Sequence, residues 1–364
     1  MTEVCAEPCY IVERRKISHN IARLRQRVGD GRIYAVLKAY GYGLGHETLA
    51  TLCAREGIRC FAVSDLAGAE AVSGAGIGWD ELLLMRSAFS WEIPRLAELG
   101  VTFTVASAED ARALVPYGAK VHVKVDAGMG RRGFSHTDPR KILDLYEQFP
   151  ELQFTGIYTH FSEGVNADRT RREFARFQTV LAALERAGID PGTRHCCASS
   201  SAFRYDDMVL DGIRVGSALL GRTPGAERAG LQRTGVCRVP IEALRQLPKG
   251  TKVSYGGIFT TRRETTVAIC PLGTHQGLGL YPRAGCQDLK DLVLITARVF
   301  LHALKGDEVL CGRVHGRDCK VLGRICSEAV MLDVTGVPCQ PGDGVEFEIN
   351  PVFLHNLPVV LTDE

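Results

Sequence analysis

Apolar and polar positions along the chain fall into two alternating patterns. Short apolar or β-branched runs occur at Ala35-Val36-Leu37, Phe61-Ala62-Val63, Leu82-Leu83-Leu84, Phe103-Thr104-Val105 and Val121-His122-Val123-Lys124-Val125. They continue at Phe154 to Tyr158, His195-Cys196-Cys197-Ala198 and Ile213-Arg214-Val215. Helical spacing lies between them. It starts at Ser18, with Ile21, Leu24 and Val28 on one face, and recurs over Trp91 to Leu99, Ala108 to Leu114, Ile142 to Phe149 and Arg169 to Ala187. Strands alternating with helices imply right-handed βαβ units and a parallel sheet. Eight such units in about 220 residues fit an α/β chain folded as an N-terminal (β/α)8 TIM-type barrel. A doubly wound open sheet is the alternative with the same alternation.

After Gly221 the pattern changes. Pro224-Gly225 and the basic stretch to Arg238 read as a connection. Val253-Ser254-Tyr255, Thr265 to Ile269, Val293 to Phe300, Glu308-Val309-Leu310, Val330 to Val334 and Val345-Glu346-Phe347 read as strands punctuated by Gly, Pro and Asp. The expected division is a barrel over residues 10–229 and a C-terminal all-β domain over 230–364, joined by residues 1–9.

Composition narrows the function classes. The chain has 364 residues, 45% apolar and 24% charged, with a net charge of +2. That balance gives no case for nucleic acid or a membrane surface as partner. No apolar run has the length of a spanning helix. Glu3 and the lack of an apolar core near the N-terminus argue against a signal peptide, so a cytoplasmic location is expected. Thirteen scattered cysteines, with no CxxC pair, resemble neither a disulfide framework nor a zinc site, and no metal is expected.

Barrels of this kind carry their active sites at the C-terminal ends of the strands. The first strand delivers Lys38, followed by Tyr40, Tyr42 and three glycines; the fifth delivers Asp126 to Arg131. The sixth delivers His160, the seventh Ser199-Ser200-Ser201, and the eighth Arg214, then Gly216-Ser217. Loops after strands seven and eight often bind phosphate through backbone N–H groups and hydroxyls. A lysine at the end of a buried strand is a candidate amine nucleophile toward carbonyls. An amine facing a phosphate site suits pyridoxal phosphate, which carries a phosphate and an aldehyde. The duller readings are a surface lysine, serines that cap a helix near Ala202, and a core histidine at 160.

Taken in order, these segments resemble the alanine racemases, and the resemblance covers nearly the whole chain. It rests on Ala35 to Gly45, Lys124 to Gly133 (similar to DxGMGRxG), Thr159-His160-Phe161, Ser199-Ser200-Ser201, Ile213 to Gly216 and Val253 to Gly256. The runs from Leu247 to Gly250 and Arg262 to Thr265 look most like racemases associated with alanine or serine. The resemblance implies a pyridoxal 5'-phosphate enzyme in which Lys38 holds the cofactor and serves as one base. Tyr255 would be the opposite base, reaching the neighbouring subunit's site in a homodimer. His160 and Arg214 would support it, with Arg214 donating to the pyridine nitrogen. Arg131 would orient the substrate carboxylate. Tyr42, Ser200, Gly216 and Ser217 would hold phosphate. Lys124 matches a lysine that is carbamylated in some relatives.

Departures from the family pattern gather at the expected substrate gate. Tyr40 replaces a usual asparagine. Thr274 and His275 fall in an altered Gly-Tyr-Ala-Asp-Gly segment, and Ser327 and Glu328 replace part of Met-Asp-Gln. Phe347 stands where a gate tyrosine is expected. The function expected is racemisation or epimerisation of a small or modified amino acid. The alternatives are another reaction at Cα, such as decarboxylation or transfer, and a non-catalytic cofactor-binding protein.

Overall fold

The computed structural model describes residues 6–281, 286, 288–305 and 310–363. It contains two compact units, Arg14–Thr234 and a second unit that joins the N-terminal residues to Gly235–Asp363.

The first unit is the barrel. Its eight strands are Arg32–Val36, Cys60–Val63, Glu81–Leu84, Phe103–Val105, Lys120–Asp126, Gln153–Tyr158, Thr193–Ala198 and Gly212–Val215. Neighbouring strands pair in parallel around the ring. The third and fourth strands meet at the seam, where Leu84 N donates to Thr102 O and Thr102 N to Leu82 O. The alternation therefore closes into a ring and not into an open sheet.

Strand periodicity decides what fills this ring. Side chains two apart share a face. Val121, Val123 and Val125 therefore face away from His122 and Lys124, and all five are buried. Tyr34, Glu81, His122, Tyr158, His195 and Arg214 meet one another across the strands. The lumen is thus unusually polar for a fold whose inner layers are mostly branched aliphatics. An apolar cluster of Tyr34, Val36, Cys60, Ala62 and Leu83, with Met85 against it, occupies the side of the first three strands.

The helices follow the expected spacing with small shifts at their ends. The first runs over Arg14–Val28, four residues earlier than Ser18. The helix expected over Trp91 to Leu99 is shorter, Ile93–Glu98. The long one, Ala167–Arg186, starts with Asn166 accepting from Arg169 N, an N-cap of ordinary kind.

The second unit is built on a six-stranded sheet. Its order is Arg317–Lys320, Cys311–Val314, Gly344–Phe347, Val236–Pro240, Cys9–Glu13, Val359–Thr362. The N-terminal strand Cys9–Glu13 lies antiparallel to Val236–Pro240 and parallel to Val359–Thr362. A three-stranded sheet of Ala243–Leu247, Thr265–Cys270 and Val330–Asp333 and a short ribbon, Lys252–Val253 with Phe259–Thr260, complete it.

One expected strand is a helix. Val293 to Phe300 lies within the helix Leu289–Lys305. Its β-branched residues suggested a strand, but Leu289, Leu292, Val293, Thr296, Val299 and Phe300 recur at the three- and four-residue spacing of a helix. The strand expected at Glu308-Val309-Leu310 falls largely outside the described residues. No described helix is long and apolar enough to cross a membrane.

Candidate active site

Lys38 follows the buried end of the first strand, and the chain then turns sharply. Ala39, Tyr40, Gly41, Tyr42 and Gly43 all have positive φ, between 52° and 77°. This is a short left-handed turn, closed by Gly41 N to Leu37 O and Gly43 N to Ala39 O, both 3.0 Å. Left-handed backbone costs a non-glycine residue roughly 1–2 kcal/mol. Ala39, Tyr40 and Tyr42 are therefore held there by their surroundings. The turn has a directing effect. Tyr40 is left exposed, while Tyr42 is buried under Lys38, whose Nζ stands 5.9 Å from the Tyr42 ring centre.

A cavity of about 410 Å³ opens at this end of the barrel. Its walls include Lys38, Tyr42, Lys124, Arg131, His160, Ser200, Arg214, Gly216 and Ser217. All nine barrel residues expected in the catalytic, supporting and cofactor-binding roles thus line one space. Ser64, Met85, Arg86, Arg132 and Tyr158 line it too. Sequence reading missed these five. Arg132 sat in plain view beside Arg131, whereas Arg86 gave no motif signal.

The seventh and eighth strands form one wall. The Ser199 hydroxyl accepts from Gly216 N at 3.1 Å and Ala218 N at 3.2 Å, which shapes the loop over residues 216–218. A Cβ on Gly216 would run into the Tyr42 hydroxyl, so only glycine lets the phenol reach this loop. Burial pushes the Tyr42 phenol up, so it stays protonated and can donate. Hydroxyls and amides converge here, a donor set suited to a phosphate.

The opposite wall is cationic. Asp126 accepts from the backbone N–H groups of Gly128, Met129, Gly130 and Arg131, at 2.8–3.1 Å. Those four bonds fold the loop that carries Arg131 and Arg132. Burial works against ionisation of Asp126, but the four donors hold its carboxyl below the usual range. Lys124 is buried, and desolvation with the charges of Arg131, Arg214 and Arg132 brings its ammonium down to about 8. Lys38 is lowered as well, by desolvation and by Arg131. His160 falls to about 3 because burial and four neighbouring cations disfavour a further charge, so it is a neutral imidazole. Arg214 is held by His195, the Thr159 carbonyl and His160, and lies over the Tyr158 ring at 4.8 Å.

The remaining residues belong to the second unit. Ser254 has φ 64°, which breaks the ribbon strand after Val253 and leaves Tyr255 in a turn, 69% exposed. Tyr255, Ser327 and Glu328 share a cavity with Cys326 and Ala329. Thr274 N donates to Cys326 O and His275 N to Ser327 O, so the two altered gate segments are neighbours. Asn356, which the sequence did not single out, stands 2.9 Å from the His275 ring. Phe347 is different. It is buried in the strand Gly344–Phe347, with its ring filling the space above Gly312. Its position in a β-strand, one face inward, is what fixes it there. Among the described residues no group of three or more His, Cys, Asp or Glu side chains could hold a metal ion.

An eight-stranded barrel with a lysine and a phosphate-type cradle at its mouth, and a sheet domain after it in the chain, is the arrangement expected from the resemblance to amino-acid racemases, which are isomerases. Comparison with known proteins agrees. Residues 12–224 match the alanine racemase N-terminal domain and residues 236–350 the alanine racemase C-terminal domain. The alanine racemase of Desulforamulus reducens is 34% identical over 333 residues, covering 87% of this chain and 83% of that protein. That of Methanococcus maripaludis is 29% identical over 335 residues, covering 88% and 83%. In structure, the alanine racemase of Clostridium difficile superposes with TM-score 0.82 at 21% identity, over 100% of this chain and 98% of that one. The alanine racemase of Bartonella henselae with covalently bound pyridoxal phosphate gives 0.82 at 20% identity, over 98% and 100%. The chain belongs to the alanine racemase family.

Proposed function

We propose that this protein racemises or epimerises a small or modified amino acid, using pyridoxal 5'-phosphate and a base on each face of Cα. The observation that carries this reading is the single cavity joining Lys38 to the Tyr42–Ser200–Gly216–Ser217 cradle. The residues fit the cofactor. The cradle supplies neutral donors for phosphate, and the missing Cβ at Gly216 makes room for the Tyr42 phenol.

When bound, the cofactor supplies an electron sink that stabilises the carbanion left when Cα loses its proton. The chain's own residues do the rest. Lys38, its ammonium made easier to deprotonate by desolvation and Arg131, holds the cofactor and moves a proton on one face. Tyr255 of the partner subunit serves the other face in a homodimer with shared sites; its exposure on a turn of the second unit supports that role. Arg131 binds the substrate carboxylate. Arg214 only donates, so it keeps a ring nitrogen beside it unprotonated. His160 accepts from Arg214 at Nδ1, which leaves its Nε2–H free to donate. Lys124, lowered to about 8, has more free amine near neutrality than an ordinary lysine, which suits it to carbamylation and to pairing then with Arg131.

The altered gate bears on substrate choice. Tyr40, Thr274, His275, Ser327 and Glu328 change the shape and charge expected at the entrance. The test is incubation of the cofactor-loaded protein with an amino-acid panel in deuterated water. Deuterium at Cα with inversion is the expected result. Exchange or consumption without inversion points to decarboxylation or transfer. A bound chromophore with no exchange from any amino acid points to a non-catalytic binder, and either outcome overturns the proposal.

A further inference from the structure

Arg214 is a buried cation whose contacts are all neutral. Its partners are the His195 ring and carbonyl, the Thr159 carbonyl, the His160 ring and the Tyr158 face. Lys38, Lys124 and Arg131 share its cavity and add positive charge. A buried cation needs compensation, and the hydrogen bonds behind Arg214 lead to one. Arg214 Nη1 lies 2.7 Å from His195 Nδ1, and His195 Nε2 lies 3.0 Å from His122 Nδ1. His122 Nε2 lies 2.8 Å from Glu81 Oε1, close enough for an electrostatic contact although the two atoms are not aligned as a hydrogen bond. Glu81 Oε2 in turn accepts from the Tyr34 hydroxyl at 2.7 Å and from Arg32 at 3.0 Å. All of these groups except Arg32 are buried.

The direction of every link follows from the two ends. Arginine only donates, so His195 Nδ1 presents a lone pair and its proton sits on Nε2. That proton points at His122 Nδ1, which must therefore be bare, so the His122 proton sits on Nε2 and faces Glu81. An ionised carboxylate only accepts, which is what the Tyr34 and Arg32 donors require. Burial opposes ionisation of Glu81, yet the nearby His122 ring, the Tyr34 hydroxyl and the charge of Arg32 hold its carboxyl below the usual range. His195 is pushed well below its ordinary value by burial and Arg214, so it is neutral. The His195 ring is also stacked between Tyr34 and Tyr158, 5.0 Å from each.

We propose that Glu81, through His122 and His195, is a positioning residue for Arg214. It ends a relay of two hydrogen bonds, Arg214 to His195 and His195 to His122, and one close His122–Glu81 contact, which crosses the barrel lumen from the N-terminal end of the third strand to the cavity. The relay gives Arg214 a counter-charge without a carboxylate in the cavity itself. A carboxylate beside Arg214 would compete with the cofactor for its N–H donors; one two imidazoles away does not. Only the catalytic consequence rests on the proposed racemase activity, since the relay stands on the lumen geometry alone.

Two experiments test it. Nitrogen-15 NMR of histidine-labelled, cofactor-free protein reads the tautomers without any variant or activity. The expected spectrum shows the Nε2–H tautomer at both His122 and His195. A proton on His195 Nδ1, or an imidazolium at either ring, overturns the relay. The second compares Glu81→Gln, which removes the charge and keeps an acceptor, with Tyr34→Phe, which removes one Glu81 donor and leaves the relay whole. Glu81→Gln is expected to lower kcat about five- to tenfold, as loss of an orienting partner does. The bound cofactor's visible absorption should move with it, and KM for the amino acid should stay within about twofold of wild type. Tyr34→Phe should leave kcat within about twofold. Equal losses in the two variants, or an unchanged kcat and absorption in a folded Glu81→Gln, would show a structural role only and overturn the proposal.

Discussion

Asp126 accepts four backbone N–H groups and is not among the residues lining the cavity, so Asp126→Ala separates the loop's architecture from its chemistry. Hydrogen bonds to a charged acceptor contribute about 1.5–3 kcal/mol each when buried. Asp126 is part-exposed and water can rebind the freed donors, so the four together are discounted to about 2 kcal/mol. The loop also contains three glycines of positive φ, at 128, 130 and 133, and has little stiffness of its own once the carboxylate is gone. Arg131 then has to be ordered by the substrate. That raises KM for the amino acid about tenfold, the equivalent of about 1.4 kcal/mol. The assays are urea unfolding of the cofactor-free protein and steady-state racemisation. The sign of the pH effect is fixed. The folded-state pKa lies below the unfolded one. The stabilisation is therefore complete above about pH 4 and lost as pH falls through the folded value. The stability gap between wild type and Asp126→Ala should close over that range. A variant with an unchanged unfolding midpoint and unchanged KM would refute the assignment.

Three further outcomes follow from the same cavity. Borohydride reduction of the loaded protein should place the cofactor on the peptide containing Lys38, and Lys38→Ala should abolish the adduct. Gly216→Ala should weaken cofactor affinity by at least about tenfold, read by titration with pyridoxal phosphate, because its methyl group displaces the Tyr42 hydroxyl. In carbon-13 bicarbonate, a carbamate signal absent from Lys124→Arg should grow as pH rises through about 8, since only the free amine reacts. A signal that stays flat across that range would count against the lowered lysine.

The barrel was legible because its rhythm is local. Eight short apolar runs separated by helical spacing admit few topologies, and the strand ends then name their own mouth residues. Arg86 and Ser64 stand just past the ends of the third and second strands, as Lys38 does past the first, but were passed over because no motif marked them. The lumen was half visible. Val121-His122-Val123-Lys124-Val125 reads as a strand at once, yet a period of two does not say which face is the inside. Here the polar face is. The burial of Phe347 was hidden for a related reason: the alternation of its own strand, which turns it inward, does not announce which face is the inside. Val293 to Phe300 failed because β-branched residues outweighed a spacing that was helical throughout. The grouping of Tyr255 with residues 274, 275, 327 and 328 depends on backbone bonds between distant loops, which leave no trace in sequence.

The left-handed turn after Lys38 has a consequence for the newborn chain. Ala39, Tyr40 and Tyr42 disfavour that conformation, so the unfolded segment spends little time in it. It forms only when the first strand and the helix His46–Arg55 are already docked to hold it. Until then Lys38 is an ordinary hydrated lysine, protonated and slow toward aldehydes. Reactivity arrives with the finished barrel. An unfolded copy therefore lacks the burial and the Arg131 charge that favour the free amine. Glycine at position 39 or 40 would relax the turn and stabilise the resting fold.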